Sequence, residues 1–150
     1  MPATTARQAG DLAEFLGGFI AGEGYFRAGA STFDCTVALG ARDADMCELL
    51  RAFVGVGRVR HYPRRREHYD DEVVWTVRSL RDLVEVVVPF LDEHLPASHK
   101  REQYLAWREE LLAYWQERAR RRRPCTVEGC DEPRRARGLC RRHYYAVHRR

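Results

Sequence analysis

Apolar residues recur along this chain at two alternating periods, one helical and one strand-like. Residues 11–22 carry the helical period and predict the first helix. Residues 24–31 and 33–41 switch to alternation, clearest in Cys35, Val37 and Leu39, and predict two strands of a hairpin. The helical period returns over residues 43–54, with Asp43 as N-cap and Met46, Leu49, Leu50 and Phe53 on one face. Gly55 and Gly57 stop that helix, and residues 57–64 read as a third strand. Residues 72–78 read as a fourth, through Val73, Val74, Trp75 and Val77, after a polar loop over residues 63–71. Ser79 caps a helix running to about residue 93, which Pro89 should kink. Pro96 precedes a long helix over about residues 98–122. The resulting order is αββαββα plus an extra helix, an α+β arrangement.

The stretch Leu16-Gly-Gly-Phe-Ile-Ala-Gly-Glu-Gly24 departs from ordinary helix composition. A glycine inside a helix costs about 1 kcal/mol relative to alanine, so three of them need a reason. Gly17 pairs with Ala21, and Gly18 with Gly22, at i,i+4 spacing, which strips one face down to backbone and admits a second helix. Glu23 stands where that face ends. A buried helix with a glycine C-cap and a surface glutamate is the plainer alternative.

The nine residues 16–24 resemble the LAGLIDADG motif of homing endonucleases, with Ala21 in place of the usual first aspartate and Glu23 as the second acid. Two further landmarks carry the resemblance. Phe53-Val-Gly-Val-Gly-Arg-Val59 is similar to the family's Phe-Gly-x-Gly turn, with Val54 at one expected small position. The segment from His94 to Trp107 is similar to the one that delivers the family's active-site lysine. That lysine would be Lys100, the sole lysine beside 25 arginines. The resemblance covers about residues 11–115 and implies the αββαββα LAGLIDADG endonuclease fold, here followed by a C-terminal helix and a small zinc-binding module.

The resemblance also implies chemistry. A single motif implies a homodimer, joined through Gly17, Gly18, Ala21 and Gly22. Glu23 and the backbone carbonyl of Gly22 would bind Mg²⁺, with Mn²⁺ or Ca²⁺ able to substitute in binding. Lys100 would stabilise charge near the nucleophile or the phosphate. The implied activity is a metal-dependent double-strand cut in a palindromic or near-palindromic DNA target. The alternative is a non-cleaving, sequence-specific DNA-binding regulator on the same fold. Such relatives typically lose the motif acid, and this chain keeps Glu23 and Lys100. An RNA-binding or splicing role is a third reading.

Strand parity marks a candidate DNA surface. Arg58, Arg60, Tyr62 and Arg64 alternate with Val59, His61 and Pro63, so they share one face. Phe26 fits the family's core position, which puts Tyr25 and Arg27 on the opposite side with Thr36, Ala38, Thr76 and Arg78. A twisted ribbon carrying arginines fits the major groove, where arginine reads guanine through two hydrogen bonds. An ordinary solvated sheet face is the alternative.

Length and charge refine the organisation. The 150 residues suit one domain and a small appendage, divided as a tail over 1–10, a domain over 11–117 and a basic module over 118–150. Residues 118–150 hold 12 arginines against three acids, a net of +9, leaving −5 on residues 1–117. A basic tail on an acidic body points to a polyanion, here double-stranded DNA. No apolar run is long enough for a membrane span, and the N-terminus lacks a signal-peptide pattern, so a cytoplasmic location is expected. Cys35 and Cys47 fall at apolar-periodic positions and read as buried, reduced thiols.

The remaining cysteines form Cys125-x4-Cys130-x9-Cys140-x2-His143, three thiolates and an imidazole suited to tetrahedral structural Zn²⁺. The spacing is not that of a Cys2His2 finger. Few apolar residues surround the cluster, so metal should carry the fold. An odd cysteine count and the expected compartment disfavour disulfides. His148 is a substitute ligand at less apt spacing. Arg134, Arg135 and Arg137 in the loop, with Arg141 and Arg142 between two ligands, would face DNA.

Overall fold

The computed structural model describes residues 6–63, 67, 70–121 and 123–148, and Arg64, one of the expected DNA contacts, lies outside them. The chain forms two compact units, Met1–Leu112 and Ala113–Arg150.

In the first unit, α1 (Ala6–Glu23) passes directly into β1 (Gly24–Ala28), which turns back into β2 (Phe33–Gly40). A short 3-10 turn (Ala41–Asp43) leads to α2 (Ala44–Val54), then β3 (Arg58–Tyr62) and β4 (Glu72–Val77). A continuous helical stretch follows: α3 (Leu80–Asp82), a π-helical segment (Leu83–Val87) and α4 (Val88–His94). The long α5 (His99–Arg121) begins in this unit. The four strands form one antiparallel sheet in the order β1-β2-β4-β3.

The pairing register explains which residues make the core. Phe26 pairs with Cys35, Cys35 with Val77, Val37 with Trp75, and Trp75 with Val59. These side chains share one face, where α1 and α2 pack. Cys35, Val37, Val73 and Trp75 are fully buried there with Leu16, Ile20 and Leu50. Phe26 is half-buried and lies against the rings of Tyr104 and Trp107 from α5, at 5.5 and 5.2 Å between centroids. The Tyr104 hydroxyl donates to Asp92 at 2.7 Å and to the Val88 carbonyl at 3.0 Å, tying α5 to α4. Burial and the Asp92 carboxylate push its ionisation well up.

Two glycines hold places that a side chain would not fit. At Gly24 an added Cβ would sit 2.6 Å from the Ile20 carbonyl oxygen, where helix turns into strand. At Gly57, with φ +94°, an added Cβ would sit 2.6 Å from the Trp75 indole nitrogen, in the turn where that nitrogen donates to the Val56 carbonyl.

Several boundaries differ from the sequence expectation. The first helix starts at Ala6, five residues early. β1 stops at Ala28 because a turn closes with Gly29 N–H donating to the Thr32 carbonyl at 2.7 Å. Asp43 precedes α2 but its side chain makes no capping hydrogen bond. The face α2 buries is that of Cys47, Leu50 and Val54, rotated from the expected one. Ser79 does cap, accepting from the Asp82 N–H at 3.3 Å. Pro89 enters at the start of α4, immediately after the π segment. The wider π turn accommodates a ring that supplies no N–H.

The second unit is small. Isolated bridges join Pro124 to Pro133 and Ala136 to Leu139, and α6 (Arg141–His148) follows Cys140. Gly129 and Gly138 turn the chain at φ +73° and +81°. No helix among the described residues is long and apolar enough to cross a membrane.

Candidate functional site

The sheet face opposite the core is concave, with a trough of about 1070 Å³ lined by Tyr25, Arg27, Arg58, Arg60, Tyr62 and Arg78, and also by the acids Asp70, Glu72 and Asp82. The register brings these residues together: Tyr25 pairs with Thr36, Thr36 with Thr76, and Thr76 with Arg58. Arg58, Arg60, Tyr62 and Arg78 are exposed, and Tyr25 is 44% exposed. Opposite-face residues alternate strictly with them, so a shift of one register position would invert the whole surface.

One member of this face was not anticipated. Asp34, 3% exposed, pairs with Arg27 across the hairpin. Its Oδ2 accepts from Arg27 Nε at 2.8 Å and Nη2 at 2.6 Å, and its Oδ1 accepts from the Thr36 hydroxyl at 3.1 Å. Thr36 in turn meets the Thr76 hydroxyl at 2.9 Å. Hydrogen bonding to Asp34 raises the Arg27 pKa further. An acid at an interior strand position is legible from sequence only once its cross-strand arginine is known.

The motif helix divides its glycines between two directions. Gly18 and Gly22 are exposed, with nothing within 4 Å of an added Cβ. Gly17 is buried against its own chain, where a Cβ would lie 2.0 Å from the His94 carbonyl oxygen. Gly17 is therefore not part of the exposed small-residue face, and its lack of a side chain lets α1 reach α4. Ala21 is half-buried. Phe15, 54% exposed, stacks on Phe19 beside that face at 6.3 Å between ring centroids.

Glu23 is the last residue of α1 and is exposed. The carbonyls of the final helical turn have no i+4 N–H of their own. A free carboxylate and a helix-end carbonyl at Gly22 are hard oxygen donors of the kind Mg²⁺ takes, but too few to complete its shell. Glu23 lines a second hollow of about 570 Å³ with the acids Asp43, Asp70, Asp71 and Glu72. Lys100 is half-buried in the first turn of α5. It lies one turn ahead of Tyr104, which packs on Phe26 three residues beyond Glu23.

In the second unit, ligand atoms of Cys125, Cys130, Cys140 and His143 all lie within 4.8 Å of one another. Tetrahedral zinc with its usual bond lengths sets sulfur atoms about 3.8 Å apart and sulfur about 3.5 Å from nitrogen. The Cys130 and Cys140 sulfurs are 3.9 Å apart, and His143 Nδ1 lies 3.3 and 3.4 Å from Cys125 and Cys140. The donor set and its spacing fit a Zn²⁺ ion. Burial pushes the Cys125 thiol up, but backbone N–H groups at Val127 and Cys140 and the His143 ring outweigh it, lowering it to about 6. His148 is not in the cluster and instead lies against Tyr144, 4.7 Å between ring centroids. Arg134, Arg135, Arg137, Arg141 and Arg142 are exposed around the cluster, and Arg135 lies over the Tyr145 ring at 5.9 Å.

A four-stranded antiparallel sheet, concave and arginine-bearing on one face and backed by a glycine-faced helix ending in an acid, is the architecture of the LAGLIDADG endonucleases. The profile of that family, described as LAGLIDADG endonuclease, matches residues 16–111, and the chain belongs to it. Solved structures of similar fold include the meganuclease I-SmaMI bound to uncleaveable DNA, at 19% identity and TM-score 0.59 over 71% of this chain and 38% of that one. I-SmaMI bound to an uncleaved DNA target in the presence of calcium ions matches at 19% identity and TM-score 0.58, over the same shares. The homing endonuclease I-TnaI matches at 24% identity and TM-score 0.58, over 71% of this chain and 74% of that one. The chain thus spans less than two fifths of I-SmaMI and about three quarters of I-TnaI. No curated protein matches the chain.

Proposed function

We propose that this protein is a site-specific DNA endonuclease that acts as a homodimer and makes a metal-dependent double-strand cut in a palindromic or near-palindromic target. The observation that carries this reading is the exposed Gly18/Gly22 face of α1, ending in Glu23, in the same unit as a concave sheet face that carries Arg27, Arg58, Arg60 and Arg78. One such helix supplies half of an active site. The exposed face is self-complementary about a two-fold axis, and its bare backbone lets two copies approach closely.

Roles follow from the positions. Arg27, Arg58, Arg60 and Arg78, with Tyr25, Tyr62 and Thr76, would line the major groove of each half-site, while Thr36, expected among them, is 3% exposed and supports Asp34 through its hydroxyl. The carboxylate of Glu23 and the carbonyl of Gly22 would hold Mg²⁺ together with phosphate oxygens. When bound, that ion supplies an activated water and charge neutralisation at the leaving oxygen. Lys100 would offer a compact ammonium to the same phosphate. The second unit would hold Zn²⁺ through Cys125, Cys130, Cys140 and His143, which fixes the direction of Arg134, Arg135, Arg137, Arg141 and Arg142. These arginines would contact DNA outside the central site and extend each subunit's footprint.

Selection of cleaved sites from a randomised duplex library in Mg²⁺ tests the reading. Recovery of a two-fold related consensus is expected. Bound but uncut consensus sites would instead favour a DNA-binding regulator, and no enrichment would overturn both.

A further inference from the structure

The Asp34 carboxylate is an unexpected group on a face that would meet phosphates. Exposed, it would repel them. It is instead 3% exposed, and its charge is spent on one partner, Arg27. The geometry of that contact matters. Oδ2 takes the Nε–H and one Nη2–H, the side edge of the guanidinium, at 2.8 and 2.6 Å. The end edge, an N–H on each of Nη1 and Nη2, remains available, and the Arg27 side chain is 60% exposed. The end edge is a two-donor fork that matches O6 and N7 of guanine.

The clamp is anchored from several sides. Oδ1 of Asp34 accepts from Thr36, and Thr36 meets Thr76, so the carboxylate is fixed to three adjacent strand positions. The main chain of Arg27 is held by the Trp107 indole, which donates to its carbonyl at 3.0 Å. A long side chain on a sheet face ordinarily loses rotamer freedom when it binds. Here that freedom is already restricted before DNA arrives.

We infer that Asp34 is a positioning residue for specificity: it presets Arg27 as a guanine reader, so that one guanine in each half-site is selected through the Asp34–Arg27 pair. The inference rests on the proposed reading of this face as the DNA surface. Lysine at position 27 could not substitute, because one ammonium cannot hold Asp34 and present a planar fork at once.

The test measures base preference at every target position by competition binding. It compares wild type, Arg27→Ala, Arg27→Lys, Asp34→Asn and the Arg27→Ala/Asp34→Asn double variant. Wild type should prefer guanine at one position per half-site by about 5- to 150-fold, the range of a two-hydrogen-bond arginine contact. Arg27→Ala should abolish that preference alone. Asp34→Asn should weaken it at least about fivefold at the same position, with other positions kept and the double variant no worse than Arg27→Ala. Affinity for non-target DNA should hold or rise in Asp34→Asn, because a negative charge leaves the face. If Asp34→Asn fails to fold, the exposed Arg27→Lys substitution carries the test and should lose the guanine preference while keeping the salt dependence. An Asp34→Asn profile unchanged at that position, or weakened equally at all positions, would overturn the inference, as would full guanine preference in Arg27→Lys. A profile that Arg27→Ala leaves untouched overturns this inference but spares the DNA-surface reading. A wild-type protein with no sequence preference overturns both.

Discussion

Gly17 and Gly18 are neighbours in α1 with opposite surroundings, and replacing them separates two roles. A Cβ on Gly17 would lie 2.0 Å from the His94 carbonyl oxygen and 2.6 Å from its carbon. Both obstacles are backbone at the end of α4, so no side-chain rotation relieves them. Restoring even a tight contact needs about 1 Å of separation between α1 and α4, and overpacking of this kind costs about 1–3 kcal/mol, here at the upper end. Helix propensity returns about 1 kcal/mol on replacing glycine by alanine. The net loss for Gly17→Ala is therefore about 2 kcal/mol, a fall in Tm of roughly 8–12 °C for a domain of this size. Thermal unfolding followed by circular dichroism reads it directly. At Gly18 the space is open, so Gly18→Leu should leave the protomer folded and move the sedimentation coefficient from dimer to monomer. A Gly17→Ala protein melting within about 1 °C of wild type would refute the close α1–α4 packing.

Two further predictions concern the other sites. Arg58→Ala with Arg60→Ala should weaken target binding by about 1–3 kcal/mol for each base reader lost and relax preference at matching positions of both half-sites; unchanged affinity and preference would remove this face from recognition. Elemental analysis should find one zinc per chain. After chelation at neutral pH, Cys125, Cys130 and Cys140 should become open to alkylation, while Cys35, fully buried and pushed up to about 12, stays silent until denaturant is added. Absence of zinc, or simultaneous reaction of all five thiols, would contradict the cluster.

The face assignment of the sheet was legible because alternation fixes it. Once Phe26 is inward, Tyr25 and Arg27 are outward, and the antiparallel register extends that choice to Thr36, Thr76 and Arg58. The Cys125, Cys130, Cys140 and His143 cluster was legible for a related reason, since residue type and spacing survive without knowledge of the fold. Gly17 was misassigned because helical spacing groups 17 with 21 and 18 with 22, but says nothing about which side a helix some 70 residues later will occupy. Asp34 was missed because its meaning lies in a cross-strand partner. The early stop of β1 came from a turn hydrogen bond at Gly29 that alternation does not encode. The helix Arg141–His148 went unread because eight residues are too few for a clear apolar period, and it begins directly after the ligand Cys140.

The central claim, that the Glu23 carboxylate holds the catalytic metal of a DNA endonuclease, is tested most directly by one paired assay. Supercoiled plasmid bearing a selected target is incubated in Mg²⁺ with wild type or Glu23→Gln, and binding to the same target is measured in Ca²⁺. Glu23→Gln keeps the side chain's size and hydrogen bonding but removes the charge on a residue exposed at the helix end. The account predicts linear product with wild type, and none with Glu23→Gln despite retained binding. Linearisation by Glu23→Gln at the wild-type rate would contradict it.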